Sequence, residues 1–423
     1  MQRRRTGMIA AASALGMTSV LGGCGSTGSS DVTLHLVAAD YGDSSANGSQ
    51  KYWDGLARAY EAQHSGVKVD VKVYSWTDVD RKVKEMVDAG DPPDMAQIGA
   101  YADYAAQDLL YKADDLLSIA VQADFLDQLS EAGQVRHLQY GIPFAASTRV
   151  LFYNKTLFSQ ANLTPPKTWN DLAADAEALK AKGVKYPYAL PLGPEEAQAE
   201  TMQWLLSGGA GYTDDIGTYT INSPQNAETF TWLRDELVGK GLTGPVAPGK
   251  LNRADAFDAF AKGQVGMLNG HPTLMKKATQ AGVKFGMVPV PGRNGTPKAT
   301  MGVTDWMMAF KKNGHRKEVG DFLDFVYSEK NVLDFSREYD LLPVTTSASE
   351  AMAAAPQDKN LWPFLQELSL AQLYPAGKTS WAQVSAEIKK RIGGTVTPGG
   401  DPTGVLNQLQ TQASQAEAKE NAG

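Results

Sequence analysis

The chain has 423 residues, with 47 acidic side chains against 40 basic ones and a formal net charge of −7. That acidic balance argues against nucleic acid and other polyanions as ligands, and the length exceeds what one hydrophobic core usually carries, so two domains are expected. Cys24 is the only cysteine, which excludes an intramolecular disulfide, a cysteine-based zinc site and a cysteine nucleophile in the folded body.

Arg3, Arg4 and Arg5 form a positive start, and the uncharged stretch Met8 to Val20 suits the apolar part of a secretory signal, too short to span a bilayer as a mature helix. It runs into Leu21-Gly22-Gly23-Cys24, which resembles a bacterial lipobox, so residues 1–23 are expected to be removed and Cys24 to be acylated. Residues 24–30, ending in Gly25 to Ser30, then read as a flexible tether. Stable anchoring needs two acyl chains or more. The expected location is therefore the outer face of the cell membrane. Removing three arginines and no acid takes the mature charge to −10. The arginine run also suits twin-arginine export, but Gly7 stands where that motif usually has a bulky apolar residue, and both export routes stay open. No later segment is long and apolar enough to cross a membrane.

Val32, Leu34 and Leu36 alternate as in a strand, Trp53, Leu56, Ala57 and Tyr60 recur at helical spacing, and Val67, Val69, Val71 and Val73 alternate again. Val79, Val83, Met86 and Val87 give a second helical face. This order predicts an α/β domain on a mostly parallel sheet, whose ligands bind beyond the carboxyl ends of the strands. That rule brings Ala39-Asp40-Tyr41, Ser75-Trp76 and the segment after Met95 to one cleft. Further on, Val150 to Tyr153, Val265 to Leu268 and Phe285 to Val290 read as strands. Trp169 to Lys180, capped by Thr168 after Pro165-Pro166, reads as a helix, as do Phe230 to Val238 and Ala254 to Phe260. From Lys317 onward the pattern is mainly helical, with Val319, Phe322, Leu323 and Val326 on one face, and the polar tail 412–423 is expected to fray.

Catalytic apparatus is sparse. The five histidines (His35, His64, His137, His271 and His315) lack metal-ligand spacing, and neither GxxxxGK[ST] nor GxSxG occurs. A glycosidase pair remains open among the carboxylates, most of which fall on solvated helix faces. No cofactor and no metal are called for. Aromatic residues stand out instead at loop positions after strands. Flat rings cover the apolar faces of sugars, and carboxylates and amides bond the hydroxyl rim. Tyr41, Trp76, Tyr101, Trp306 and Trp381 are the candidates, each weighed against plain core packing.

Five segments carry a more specific resemblance. Gly90-Asp91-Pro92-Pro93-Asp94-Met95 resembles the "GxxPDv" segment of family 1 extracellular solute-binding proteins, the maltose-binding-protein group. Tyr140-Gly141-Ile142-Pro143-Phe144 with Leu151-Phe152-Tyr153-Asn154-Lys155 is similar to the family's "GiPy…lyYNk". Pro165 to Leu172 resembles "PPkTWdEl", Phe260 to Met267 resembles "F..GkvAM", and Phe285 to Gly292 resembles "yg..p.PG". They run in family order over most of the mature chain.

The resemblance implies a two-lobe periplasmic-binding-protein fold of type II, α/β in both lobes, with a hinge and an interlobe ligand cleft. Residues 31–145 would form the first part of lobe 1 and 146–290 the first part of lobe 2. Residues 291–326 would return to lobe 1, and 327–411 would be the helical end of lobe 2. Phe144–Leu151 and Val288–Gly292 would be two interlobe crossings, with a third near Phe325. The implied function is not enzymatic: a lipid-anchored monomer captures a sugar or short oligosaccharide and presents it to the permease subunits of an ABC importer.

Site residues carry over one position at a time. The family's late stacking tryptophan falls on Trp381, its acidic contact at the first crossing on Ser147, and its "NGpW" turn on Asn269-Gly270-His271-Pro272. The last two departures point away from maltodextrin and toward another sugar or a glycoside. Asp40, Tyr41, Gln97, Tyr101, Asp305 and Trp306 are expected at the cleft from strand position, with Asn269 and His271 opposite. A secreted carbohydrate-active enzyme, or the same fold holding a non-sugar polar solute, are the competing readings.

Overall fold

A computed structural model describes residues 31–42, 47–295, 297 and 299–422. The expected signal peptide and tether, Cys24 included, lie outside the described residues. In chain order the strands are β1 (Val32–Ala39), β2 (Val67–Tyr74), β3 (Met95–Ile98), β4 (Gln134–Val135), β5 (Leu138–Gln139), β6 (Ile142–Thr148), β7 (Val150–Asn154), β8 (Tyr186–Tyr188), β9 (Val265–Gly270), β10 (Phe285–Val288), β11 (Thr300–Ala309) and β12 (Ala371–Gln372).

They build two main sheets. The first has six strands in the order β12-β11-β3-β1-β2, with β6 on β11; the second has the order β10-β7-β9-β8. β4 and β5 form a separate hairpin. β1 runs parallel to both β2 and β3, whereas β11 is antiparallel to β3 and to β6. The sheets are thus more mixed than the strand–helix alternation predicts, because the antiparallel strands are those that carry the chain into and out of the second sheet.

Helical spacing becomes packing as expected. Trp53, Leu56, Ala57 and Tyr60 form the buried stripe of the helix Ser49–Glu61. Thr168 caps the helix Trp169–Ala181 in a reciprocal box with Asp171, which satisfies amides that a helix start leaves free. In the second lobe, Trp169, Trp204 and Trp232 pack together at centroid distances of 4.8–6.0 Å. Trp169 and Trp204 are fully enclosed, and a ring of that size buries on the order of 150–250 Å², or about 4–6 kcal/mol of apolar transfer at ~25 cal/mol per Å².

Two of the family-like segments bond to each other. The Trp169 indole donates to the Pro291 carbonyl at 3.1 Å, and the Trp169 amide donates to Gly292. The Asp of the Pro-Asp segment is structural as well. Asp94 is 1% exposed, accepts from the His35 amide at 2.8 Å and lies 2.9 Å from His315 Nδ1.

The chain passes between the sheets three times. β6 ends in the first sheet at Thr148 and β7 opens in the second at Val150, while β10 leaves the second at Val288 and β11 re-enters the first at Thr300. The third passage is not near Phe325. That residue lies inside the helix Arg316–Val326 and packs its ring against Tyr60 at 5.5 Å, on the first sheet's side. The passage runs instead from β12, paired to β11, to the helix Trp381–Arg391.

The late helices also differ from expectation in their packing. The helix Glu329–Glu338 sits on the first lobe: Phe335 meets Tyr52 at 5.0 Å and Phe144 at 4.7 Å, and the Tyr52 hydroxyl donates to the Asn331 carbonyl; the helix Trp362–Leu368 lies at the junction, its Phe364 carbonyl accepting from Thr148 of β6 and its ring 6.0 Å from Phe152 of β7. The tail is helical as far as Ala422, and the helix Pro402–Ala422 buries Leu406, Leu409, Ala413 and Ala416 against the second lobe. Among the described residues no helix is long and apolar enough to cross a membrane.

Candidate functional site

A cavity of about 450 Å³ opens between the two lobes. From the first lobe it takes Asp80, Gly99 and Asp103, together with Thr304, Asp305 and Trp306 from the middle of β11; from the second it takes Glu196, Gln198, Trp381 and Lys389; and Tyr374 and Lys378 come from the third crossing. A second cavity of about 430 Å³, lined by Tyr41, Arg253, Phe257 and Tyr339 among others, lies on the far side of the Tyr41–Asp305 pair.

That pair divides the cleft. The Tyr41 hydroxyl donates to Asp305 Oδ2 at 2.7 Å and accepts from the Gln97 amide at 2.8 Å. Gln97 in turn accepts from the Ala39 amide, so the carboxyl ends of β1 and β3 are bonded to the middle of β11 through one polar chain. Loss of hydration pushes the Asp305 carboxyl up to about 7, against the Tyr41 bond, which favours the charged form, and with help from Asp80 and Glu196. Trp76, 37% exposed, meets Tyr41 edge to face at 5.3 Å.

On the opposite wall Trp381 stacks on Tyr374, with centroids 5.3 Å apart and planes 24° from parallel, and also meets Tyr212 at 5.3 Å. It opens the helix Trp381–Arg391, whose buried face is Val384 and Ile388. Below this shelf, at the first crossing, lies Arg149, 1% exposed. Its guanidinium lies 2.9 Å from Glu196 and 3.5 Å from Glu200, and Arg253 reaches Glu196 at 2.6 Å. Burial pushes Glu200 up to about 7, with Arg149 opposing the shift. Burial, and then Arg149 and Arg253, hold His271 well below its usual range and therefore neutral.

The sequence-predicted residues separate into groups. Asp305, Trp306 and Trp381 line the interlobe cavity and Tyr41 its neighbour. Gln97 is fully buried and spent on Ala39 and Tyr41. Tyr101 is 1% exposed, packs under Trp306 at 4.9 Å and donates its hydroxyl to the Ala132 carbonyl; it is core, and the expectation of a cleft contact fails there. Asp40 accepts from the amides of Gly42 and Ser49, holding the loop after β1. Ser147 faces Val303 across the β6–β11 ladder. His271 pairs with the Thr273 hydroxyl at 2.9 Å. Asn269 is 1% exposed with both amide atoms unpaired.

Tyr374, Glu196 and Arg149 were not found from the sequence. An aromatic just before Pro375-Ala376-Gly377, and a paired acid after Gly193-Pro194, were the available signals. Among the described residues no group of three or more His, Cys, Asp or Glu side chains could hold a metal ion.

Two α/β lobes, three connecting passages and a polar, aromatic-walled cleft define a receptor for a small solute. The sequence profile of the family described as "Bacterial extracellular solute-binding protein" matches residues 44–333, and the chain belongs to that family. It is 25% identical over 369 residues to a binding protein of Brucella abortus (strain 2308), covering 86% of this chain and 89% of that one. It is 28% identical over 219 residues to the sn-glycerol-3-phosphate-binding periplasmic protein UgpB of Escherichia coli (strain K12), covering 49% of each. Its fold is similar to that of a cyclic alpha-maltosyl-1,6-maltose binding protein from Arthrobacter globiformis, with a TM-score of 0.76, 21% identity, and coverage of 93% of this chain and 100% of that one.

Proposed function

We propose that this protein is the solute receptor of an ABC importer, held at the membrane through an acylated Cys24, and that its ligand is a neutral sugar or short oligosaccharide. The observation that carries the reading is the pairing of an aromatic shelf, Trp381 on Tyr374, with carboxylates at Asp305 and Glu196 in one interlobe cavity. Such a cavity suits a sugar, with a ring face on the indole and hydroxyls on the carboxylates. A volume of about 450 Å³ falls in the range of small-molecule sites.

The same lining bears on the ligand's charge. Asp80, Asp103, Glu196 and Asp305, the last raised to about 7, surround the cavity, and of its two lysines Lys378 is paired to Glu417, which leaves acids in excess over Lys389. A phosphate would enter against those carboxylates, where like charges cost energy in a poorly hydrated site. This favours a sugar over the glycerol phosphate of the Escherichia coli relative. Binding between lobes joined by three passages implies closure by a hinge, with the membrane subunits reading the closed form. In this reading residues 31–148 and 300–372 form one lobe, and most of 150–288 with 381–422 the other.

Thermal unfolding of the mature protein against a panel of mono- and oligosaccharides, with glycerol 3-phosphate included, tests it. A ligand at ~100 times its dissociation constant adds roughly 2.7 kcal/mol, and the binding sugar should also shrink the radius measured by small-angle scattering. The sugar should be recovered chemically unchanged. Stabilisation by glycerol 3-phosphate and by no sugar would overturn the assignment.

A further inference from the structure

The segment Leu373–Ser380 carries the chain across the cleft to Trp381, and its backbone is pinned at both ends. On the first lobe, Gly377 lies so close to the hairpin that a Cβ there would fall 2.0 Å from the Gln134 carbonyl oxygen. On the second lobe the ties come from the end of the last helix. Glu420 accepts from the Thr379 amide at 3.0 Å and from the Ser380 amide at 3.3 Å. One turn earlier, Glu417 pairs with Lys378, whose ammonium lies 5.3 Å over the Tyr219 ring. The Tyr219 hydroxyl is 3.1 Å from the Ser380 hydroxyl.

Ser380 is the residue immediately before the helix Trp381–Arg391, and its own side chain makes no cap bond there. Helix starts leave amides unpaired and carry partial positive charge, so a carboxylate bridging two successive amides makes charge-assisted bonds of the stronger kind. The burial of Ala413 and Ala416 seats the last helix, and spacing of three and four residues puts Glu417 and Glu420 beside that buried row. The last turns therefore reach back to fix the residue from which the indole of Trp381 projects.

We propose that Glu420 is a positioning residue for the ligand site: it sets the orientation of Trp381, so that the cleft's affinity is governed from the carboxyl end of the chain. The proposal rests on the reading of the cleft as a sugar site, and extends it to a residue that touches no ligand.

The test uses full-length mature protein labelled with 5-fluorotryptophan, the Trp381 fluorine line being assigned by its loss in Trp381→Phe. Glu420→Ala should shift or broaden the Trp381 line while the other lines and the melting temperature stay in place. Glu420→Gln keeps an acceptor oxygen and should restore most of the line. With laminaribiose, a disaccharide outside the maltodextrins, as the probe, Glu420→Ala should weaken binding about 3- to 10-fold and Glu420→Gln less. An unmoved Trp381 line in Glu420→Ala overturns the proposal whether or not laminaribiose binds. A moved line with unchanged laminaribiose affinity overturns the claim that affinity is set there. If laminaribiose binds none of the proteins, that counts against the ligand reading, and the fluorine result alone decides the positioning.

Discussion

The indole of Trp381 lies on the phenol ring of Tyr374, centroids 5.3 Å apart, and both rings line the interlobe cavity. The stack makes one flat wall from two segments, the third crossing and the helix that follows it. Trp381→Ala removes half of that wall and should weaken sugar binding by about 1–3 kcal/mol, one to two decades in affinity, by analogy with other ring-stacking ligands. Calorimetric titration with the most stabilising sugar measures it. Equal affinities would remove Trp381 from the site, and a large fall in unliganded melting temperature would assign it to the core.

Asp305 gives a pH dependence whose sign is fixed by the direction of its shift. Its carboxyl is raised from 3.8 to about 7 in the folded protein, so the folded state holds that proton more tightly than the unfolded chain. The group's contribution to stability is therefore fully present below the unfolded value and is lost as pH rises from about 4 to 7, staying flat above. Asp305→Asn keeps an acceptor for Tyr41 and removes the titration. Between pH 4.5 and 8 the wild type should lose about 2 kcal/mol relative to the variant, allowing for partial solvent screening. Urea unfolding of both proteins at the two pH values checks this, and a constant difference would contradict it.

Arg149 holds two glutamates at the first crossing, Glu196 at 2.9 Å and Glu200 at 3.5 Å. Arg149→Met should cost about 3–5 kcal/mol, because it leaves the buried Glu200 without its closest cation. Adding Glu200→Leu should recover most of the loss, since an apolar pair can replace a buried ion pair at little cost. Denaturant unfolding of the single and double variants measures both effects. A double variant no more stable than Arg149→Met would show that the loss comes from packing and not from the stranded charge.

Cys24→Ser tests the anchor. The variant should leave the detergent phase on partitioning of cell extracts, and the protein should appear in the medium or remain unprocessed. Unchanged retention in the detergent phase would rule out acylation at this residue.

How much was legible in the sequence varies with the range of the interaction involved. The stripe Trp53, Leu56, Ala57 and Tyr60, and the Thr168 cap, are fixed by residues within a few positions, and both hold in the structure. The order of five short segments sufficed for the family, because each encodes a local turn or strand end that the fold reuses. Aromatic residues after strands were equally visible, but their roles were not. Tyr41 reaches Asp305 at a separation of 264 residues, and Tyr101 became core because Trp306 closes over it. Whether a ring is buried depends on the element that lands beside it, and periodicity carries no information about that element.

The late helices make the same division. Their existence followed from spacing, yet the helix Glu329–Glu338 docked beside the first sheet and the last helix on the second lobe. An apolar helix face specifies that it must be covered, and many faces of similar width can cover it; the match is decided only when both surfaces exist. Sequence alone therefore determined the family, the two-lobe α/β class and the faces of the helices. Tertiary structure alone brought Tyr374 and Glu196 to the cleft, with Arg149 buried beneath Glu196, and tied the polar carboxyl end to the wall that carries Trp381, because these contacts join residues that only the completed fold brings together.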